Sequence, residues 1–109
     1  MPISVETNET GGQTAIKVTG EIDLYTSPDL RNAISKALGK GSGPVSVHLE
    51  EVSYMDSSGV ATLVEALRSA DRGSIEFVLD TPSKAVMKVL QLSRLDSVFT
   101  IHGSPESAV

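Results

Sequence analysis

Apolar residues recur in this chain with two periods that alternate from one end to the other. Val5 and the stretch Thr14-Ala15-Ile16-Lys17-Val18-Thr19 are β-branched and alternating, and they flank Gly11-Gly12. That spacing predicts an opening hairpin, with strands over Ile3–Thr7 and 14–19. Leu30, Ala33, Ile34, Ala37 and Leu38 then fall at helical intervals. Ser27 is placed to cap this helix, Pro28 suits its first position, Asp29 its first turn, and Gly39 its end. Val45, Val47 and Leu49 alternate with Ser46, His48 and Glu50, which predicts a strand after the flexible connector from Gly39 to Pro44. Val60, Leu63, Val64 and Leu67 give a second helix, which begins at Asp56-Ser57-Ser58-Gly59 and leaves through Arg68, Asp71 and Arg72 to Gly73. Ile75, Phe77 and Leu79 form the next strand. Thr81-Pro82 is set to cap a third helix carrying Val86, Val89 and Leu90, and 98–101 reads as a last short strand.

The order β-β-α-β-α-β-α-β predicts an α/β fold with a small, mostly parallel sheet, right-handed crossovers and one antiparallel edge strand. Neither a repeat nor a domain boundary interrupts it, so a single domain over 1–109 is expected, with 103–109 a short tail. Composition removes several classes of function. The chain has 109 residues and no cysteine, which excludes disulfides, thiolate metal sites, iron–sulfur clusters and thiol catalysis. No apolar run approaches the roughly 18 residues of a membrane span, and the amino terminus has no signal-peptide pattern. A cytoplasmic protein without direct membrane insertion is expected. A net charge of −5, with 9 Lys and Arg against 14 Asp and Glu, gives nucleic acid no long-range attraction.

In such a sheet the loops after the carboxyl ends of the parallel strands form the binding edge, because helix amino termini gather there. Gly20-Glu21-Ile22-Asp23 and Asp56-Ser57-Ser58-Gly59 should meet at that edge, with Asp23 close to Ser57. An isolated Asp-Ser-Ser-Gly is a common helix start. Asp56 is suited to cap the helix or to orient a serine hydroxyl, and Ser58 reads as a structural cap. Gly59 gives room for close approach of helix and strand, and Asp23 either closes a turn or lies at an interface.

Taken together in this order, Gly-Glu-Ile-Asp, the helix after it and Tyr54-Met55-Asp56-Ser57-Ser58-Gly59-Val60 resemble the STAS domain, and within it the bacterial anti-sigma-factor antagonists. The resemblance runs from the opening hairpin to about Phe99. It implies a small protein that binds an anti-sigma factor, itself an ATP-dependent serine kinase, and so frees a sigma factor. It further implies that phosphorylation by that kinase ends the binding and that a phosphatase reverses it. The acceptor serine of the family falls on Ser57 and its strand-closing acid on Asp23. The resemblance also implies a carboxy-terminal helix, for which Ser104–Val109 leaves room for little more than one turn. The alternative within the same family is a constitutive STAS adaptor in a stress-sensing or lipid-transport assembly.

Neither hydrolysis nor metal or nucleotide binding is indicated. Gly-x-Ser-x-Gly is missing, and the two histidines, His48 and His102, read as strand surface residues. No carboxylate stands at ligand spacing from them. The glycines around Lys40 follow a helix and lead into a strand, the reverse of a phosphate loop. Neither a cofactor nor a metal is expected. Tyr54, Met55 and Met87 read as core or edge packing, with Met87 beside Lys88 a minor candidate for a partner surface.

Overall fold

The computed structural model describes residues 3–41 and 43–103, and these form one five-stranded sheet with three helices. The strands are β1 (Ser4–Thr10), β2 (Gln13–Ile22), β3 (Val45–Met55), β4 (Phe77–Asp80) and β5 (Thr100–His102). The helices are α1 (Ser27–Gly39), α2 (Ser57–Arg72) and α3 (Lys84–Leu92). Spatial order follows chain order, β1-β2-β3-β4-β5, with β1 antiparallel to β2 and every later pair parallel. Each crossover therefore steps the same way, and right-handed crossovers stepping one way place all three helices on one face of the sheet. The pattern expected from the sequence is the one observed.

Burial follows that geometry. Ile16, Val18, Val45, Val47 and Leu49 are buried on the helix side, whereas Lys17 is exposed and Ser46 and His48 are half-buried. Leu30, Ile34 and Ala37 of α1, Leu63, Ala66 and Ala70 of α2, and Val86 and Leu90 of α3 complete a continuous core.

β3 runs five residues beyond the Val45–Glu50 alternation. Its buried residues are spaced by two through Val45, Val47 and Leu49, then by three to Val52 and to Met55. The pairing with β2 accordingly slips between Lys17 and Thr19 and again between Gly20 and Glu21, so each slip returns an apolar side chain to the core. Gly20, at the second slip, has φ +116, which a residue with a Cβ rarely adopts. β4 stops at Asp80, opposite His48, so the last turns of β2 and β3 stand beyond it as a two-stranded ledge.

Helix starts differ in detail from those expected. Thr26, not Ser27, is the residue before α1; Ser27 is buried as its first residue and Pro28 follows. Ser83, not Thr81-Pro82, caps α3, its Oγ accepting from Val86 N at 3.2 Å. Thr81 has φ +44, and its N–H donates to His102 O at 2.6 Å. A proline's fixed φ fits a position just before Ser83 as well as one inside the helix, which is why the signal was displaced. β5 begins at Thr100, and Val98 is exposed in the turn before it, so only part of the last expected strand pairs. Gly103 is exposed; the rest of the expected tail and any carboxy-terminal helix lie outside the described residues.

Candidate functional site

The ledge carries the two loops singled out in the sequence. Ile22 pairs with Met55, and Asp56 N donates to Ile22 O at 3.1 Å, which stitches the end of β2 to the start of α2. Asp23 and Asp56 therefore follow directly from one hydrogen-bonded point.

After that point the chain turns around Asp23. Its Oδ1 accepts from Tyr25 N at 2.9 Å and Thr26 N at 3.0 Å, and lies 3.1 Å from Thr26 Oγ1. Its N–H donates to Thr26 Oγ1 at 2.8 Å, while that hydroxyl donates to Glu21 O at 2.8 Å. Burial on its own pushes the Asp23 carboxyl up, but the Thr26 and Tyr25 hydrogen bonds together outweigh it and hold the pKa below its ordinary value. With both ends of this turn fixed, Leu24 and Tyr25 point away from the core, 69 % and 87 % exposed.

At the start of α2, Asp56 is extended (φ −106, ψ −170) and caps the helix. Its Oδ1 accepts from Ser58 N at 2.9 Å, and its carbonyl from Gly59 N at 3.1 Å and Val60 N at 3.2 Å. The hydroxyl that Asp56 holds is that of Ser58, at 2.5 Å. Ser58 is thus bound to the cap rather than being one. Ser57 is the exposed first residue of the helix, and its hydroxyl has no hydrogen-bond partner among the described residues. Gly59 faces the core: a Cβ there would lie 2.4 Å from Met55 Cγ and 2.8 Å from Ile22 Cγ2, so only glycine lets α2 start this close to the ledge.

This arrangement offers an accessible hydroxyl with no histidine beside it among the described residues. His48 lies seven residues before the end of β3, roughly 20 Å away at strand rise. It is occupied there, with Nε2 3.2 Å from Ser46 Oγ and Nδ1 3.8 Å from Glu50 and Asp80 carboxylate oxygens. His102 pairs with Asp80 on the far side. No group of three or more His, Asp and Glu able to hold a metal ion occurs among the described residues. Such a site can be acted upon by a partner's chemistry and can bind a surface.

Sequence patterning missed Leu24 and Tyr25. They break the alternation just after an acid and just before a helix start, a combination that leaves two apolar side chains with no core position to fill. Tyr54, expected in core or edge packing, is half exposed on the outer side of the ledge.

Comparison with known proteins agrees with the fold and with the resemblance. The STAS domain model matches residues 4–108. The anti-sigma-B factor antagonist of Listeria monocytogenes is 33 % identical over 102 residues, covering 93 % of this chain and 90 % of the relative. That of Staphylococcus aureus is 27 % identical over 106 residues, covering 97 % and 98 %. Among solved structures, the anti-sigma factor antagonist SpoIIAA in its unphosphorylated form superposes with a TM-score of 0.75 at 26 % identity, over 96 % of this chain and 93 % of that one. The phosphorylated form of Bacillus SpoIIAA gives a TM-score of 0.71, also at 26 % identity, over 96 % of each chain. With the profile spanning nearly its whole length, this chain belongs to the STAS domain family.

Proposed function

We propose that this protein is an anti-sigma-factor antagonist that works by partner switching. Unphosphorylated, it binds an anti-sigma factor that is also an ATP-dependent serine kinase, and so releases a sigma factor. The kinase moves the γ-phosphoryl group of ATP to Ser57 Oγ; the hydroxyl proton passes to a base on the kinase, ADP is released, and binding ends. A phosphatase restores the binding form by hydrolysis. The protein acts by binding rather than by catalysis, as a single domain in the cytoplasm where sigma factors work.

The observation that carries this reading is the exposed hydroxyl of Ser57, without a hydrogen-bond partner among the described residues, on a helix end where the next three N–H groups are already taken. Ser58 N, Gly59 N and Val60 N all donate to Asp56. A phosphate on Ser57 brings about −1.5 to −2 charges and would have to displace the Asp56 carboxylate to reach Ser58 N, while Gly59 N and Val60 N are held by the Asp56 carbonyl. It therefore stays on display. At an effective dielectric of about 20, two unit charges about 8 Å apart repel by roughly 2 kcal/mol before screening, which exceeds the roughly 0.3–1 kcal/mol that a helix start returns to an anion. Asp56 and Asp23 supply that repulsion. A partner seated on this edge must desolvate the phosphate or give way, and each 1.4 kcal/mol is about tenfold in affinity. In this reading Asp56 and Ser58 fix the helix start, Gly59 sets its height over the ledge, and Asp23 shapes the neighbouring loop.

Affinity capture from native lysate tests the proposal, with wild type, Ser57→Ala and Ser57→Asp as parallel baits and ATP added to a second wild-type sample. Wild type and the alanine variant should retain an ATP-binding anti-sigma factor, the aspartate variant should lose it, and ATP should give phosphate on Ser57 by mass spectrometry. Retention of one non-kinase partner by all three baits would overturn the switch and leave the constitutive adaptor.

A further inference from the structure

The net charge of the chain is concentrated at the site. Residues 20–30 and 51–60, which make up the end of the ledge and the starts of α1 and α2, contain Glu21, Asp23, Asp29, Glu51 and Asp56 and no Lys, Arg or His. These are five of the 14 acids and none of the 9 Lys and Arg, so the rest of the chain balances nine acids against nine bases. The whole net charge of −5 therefore sits on this edge. None of the five carboxylates is in an ion pair among the described residues, where the pairs are Arg31–Glu65, Lys40–Glu9 and those of His48. From the middle of this acidic rim project Leu24 and Tyr25, the former 69 % and the latter 87 % exposed. Their backbone is held by the Asp23 turn, so little backbone freedom is left to lose on binding.

Resting on the function proposed above, we infer that Leu24 and Tyr25 are apolar anchors for the anti-sigma factor, entering an apolar socket on it that is rimmed by Lys and Arg. Apolar anchors ringed by polar contacts are the usual layout of an interface core and rim. Charge decides the occupant. A second copy would bring five more unpaired carboxylates against this edge, and nucleic acid would bring phosphates; only a basic surface relieves the field. The two features divide the work. The rim attracts the partner at a distance and so sets the association rate, while the anchors are desolvated only in the complex and so set the dissociation rate.

The anti-sigma factor retained by the Ser57→Ala bait, purified, is the probe. Association and dissociation rates are measured for wild type, Leu24→Ala, Tyr25→Ala and the double variant Glu21→Gln/Glu51→Gln, with melting curves to show that each is folded. Tyr25→Ala should dissociate about 30-fold faster and Leu24→Ala about tenfold faster, with association little changed. Wild-type association should fall about tenfold between about 0.05 M and 0.5 M salt, and the double Gln variant should flatten that dependence without altering dissociation. Unchanged dissociation in both alanine variants, or association that ignores salt, overturns this inference while the functional reading stands. A Tyr25-dependent dimer of this chain in sedimentation would overturn it in favour of self-association. Failure of any bait to retain an anti-sigma factor overturns both.

Discussion

The open face of the sheet and the carboxyl edge are both rich in charge, and they handle it in opposite ways. Across the open face, Glu6, Lys17, His48, Asp80 and His102 are direct neighbours in register, one from each strand in order. Acids and basic side chains are interspersed along that row, and His48 Nδ1 lies 3.8 Å from a carboxylate oxygen of Glu50 and one of Asp80. Glu6 stands opposite Lys17 and His48 stands beside two carboxylates, so each of these charges has a neighbour of a kind that can answer it. At the carboxyl edge two apolar side chains stand out among acids that have no ion-pair partner among the described residues, where the Ser57 hydroxyl has no hydrogen-bond partner either. What the contrast teaches is that charge density alone does not mark a functional surface; charge without an internal partner does.

Several changes break or sharpen this contrast. The largest effect is expected from phosphate on Ser57, which should weaken binding of the anti-sigma factor by about 100-fold or more, roughly 3 kcal/mol. Amide chemical shifts should move only around the edge, because no buried contact depends on that hydroxyl. Next is Gly59→Ala, whose Cβ would meet Met55 and Ile22; overpacking of this kind costs about 1–3 kcal/mol and is read in urea unfolding. Asp56→Ala removes the cap of α2 and should cost about 0.5–2 kcal/mol in the same measurement, while freeing the Ser58 hydroxyl. Lys17→Glu puts a like charge beside Glu6 and should cost about 0.2–1 kcal/mol of stability. It should leave partner binding unchanged, since it alters only the open face.

Much of this was legible in the sequence. The element order, the sheet with its antiparallel edge strand and the meeting of Asp23 with the Ser57 loop all follow from periodicity and crossover rules. The extension of β3 was hidden, because two slips against β2 change the spacing of buried residues from two to three after Leu49. Within Asp56-Ser57-Ser58 the capping role of Asp56 was legible, and the place of Ser58 was not. All three side chains can cap a helix, and in the fold Asp56 takes the cap, its carboxylate holds the Ser58 hydroxyl, and Ser57 has no hydrogen-bond partner among the described residues. Leu24 and Tyr25 escaped because they fall between a strand and a helix, where neither period assigns them a face.

A smaller effect separates the two regions by pH. The Asp23 pKa is lowered in the folded protein, so its contribution to stability is present above the unfolded value of about 3.9 and is lost as pH falls through the folded one. Asp23→Asn should therefore flatten the acid limb of the stability profile and leave the neutral plateau parallel to wild type. Thermal melts between about pH 2 and 6 would show this.

The central claim is that Ser57 is a switch on a preformed surface. Calorimetric titration of the purified anti-sigma factor with unmodified and Ser57-phosphorylated protein, their melting temperatures matched, tests it most directly. The account predicts binding by the unmodified protein and a loss of about 100-fold or more on phosphorylation. Equal affinity of the two forms would contradict it.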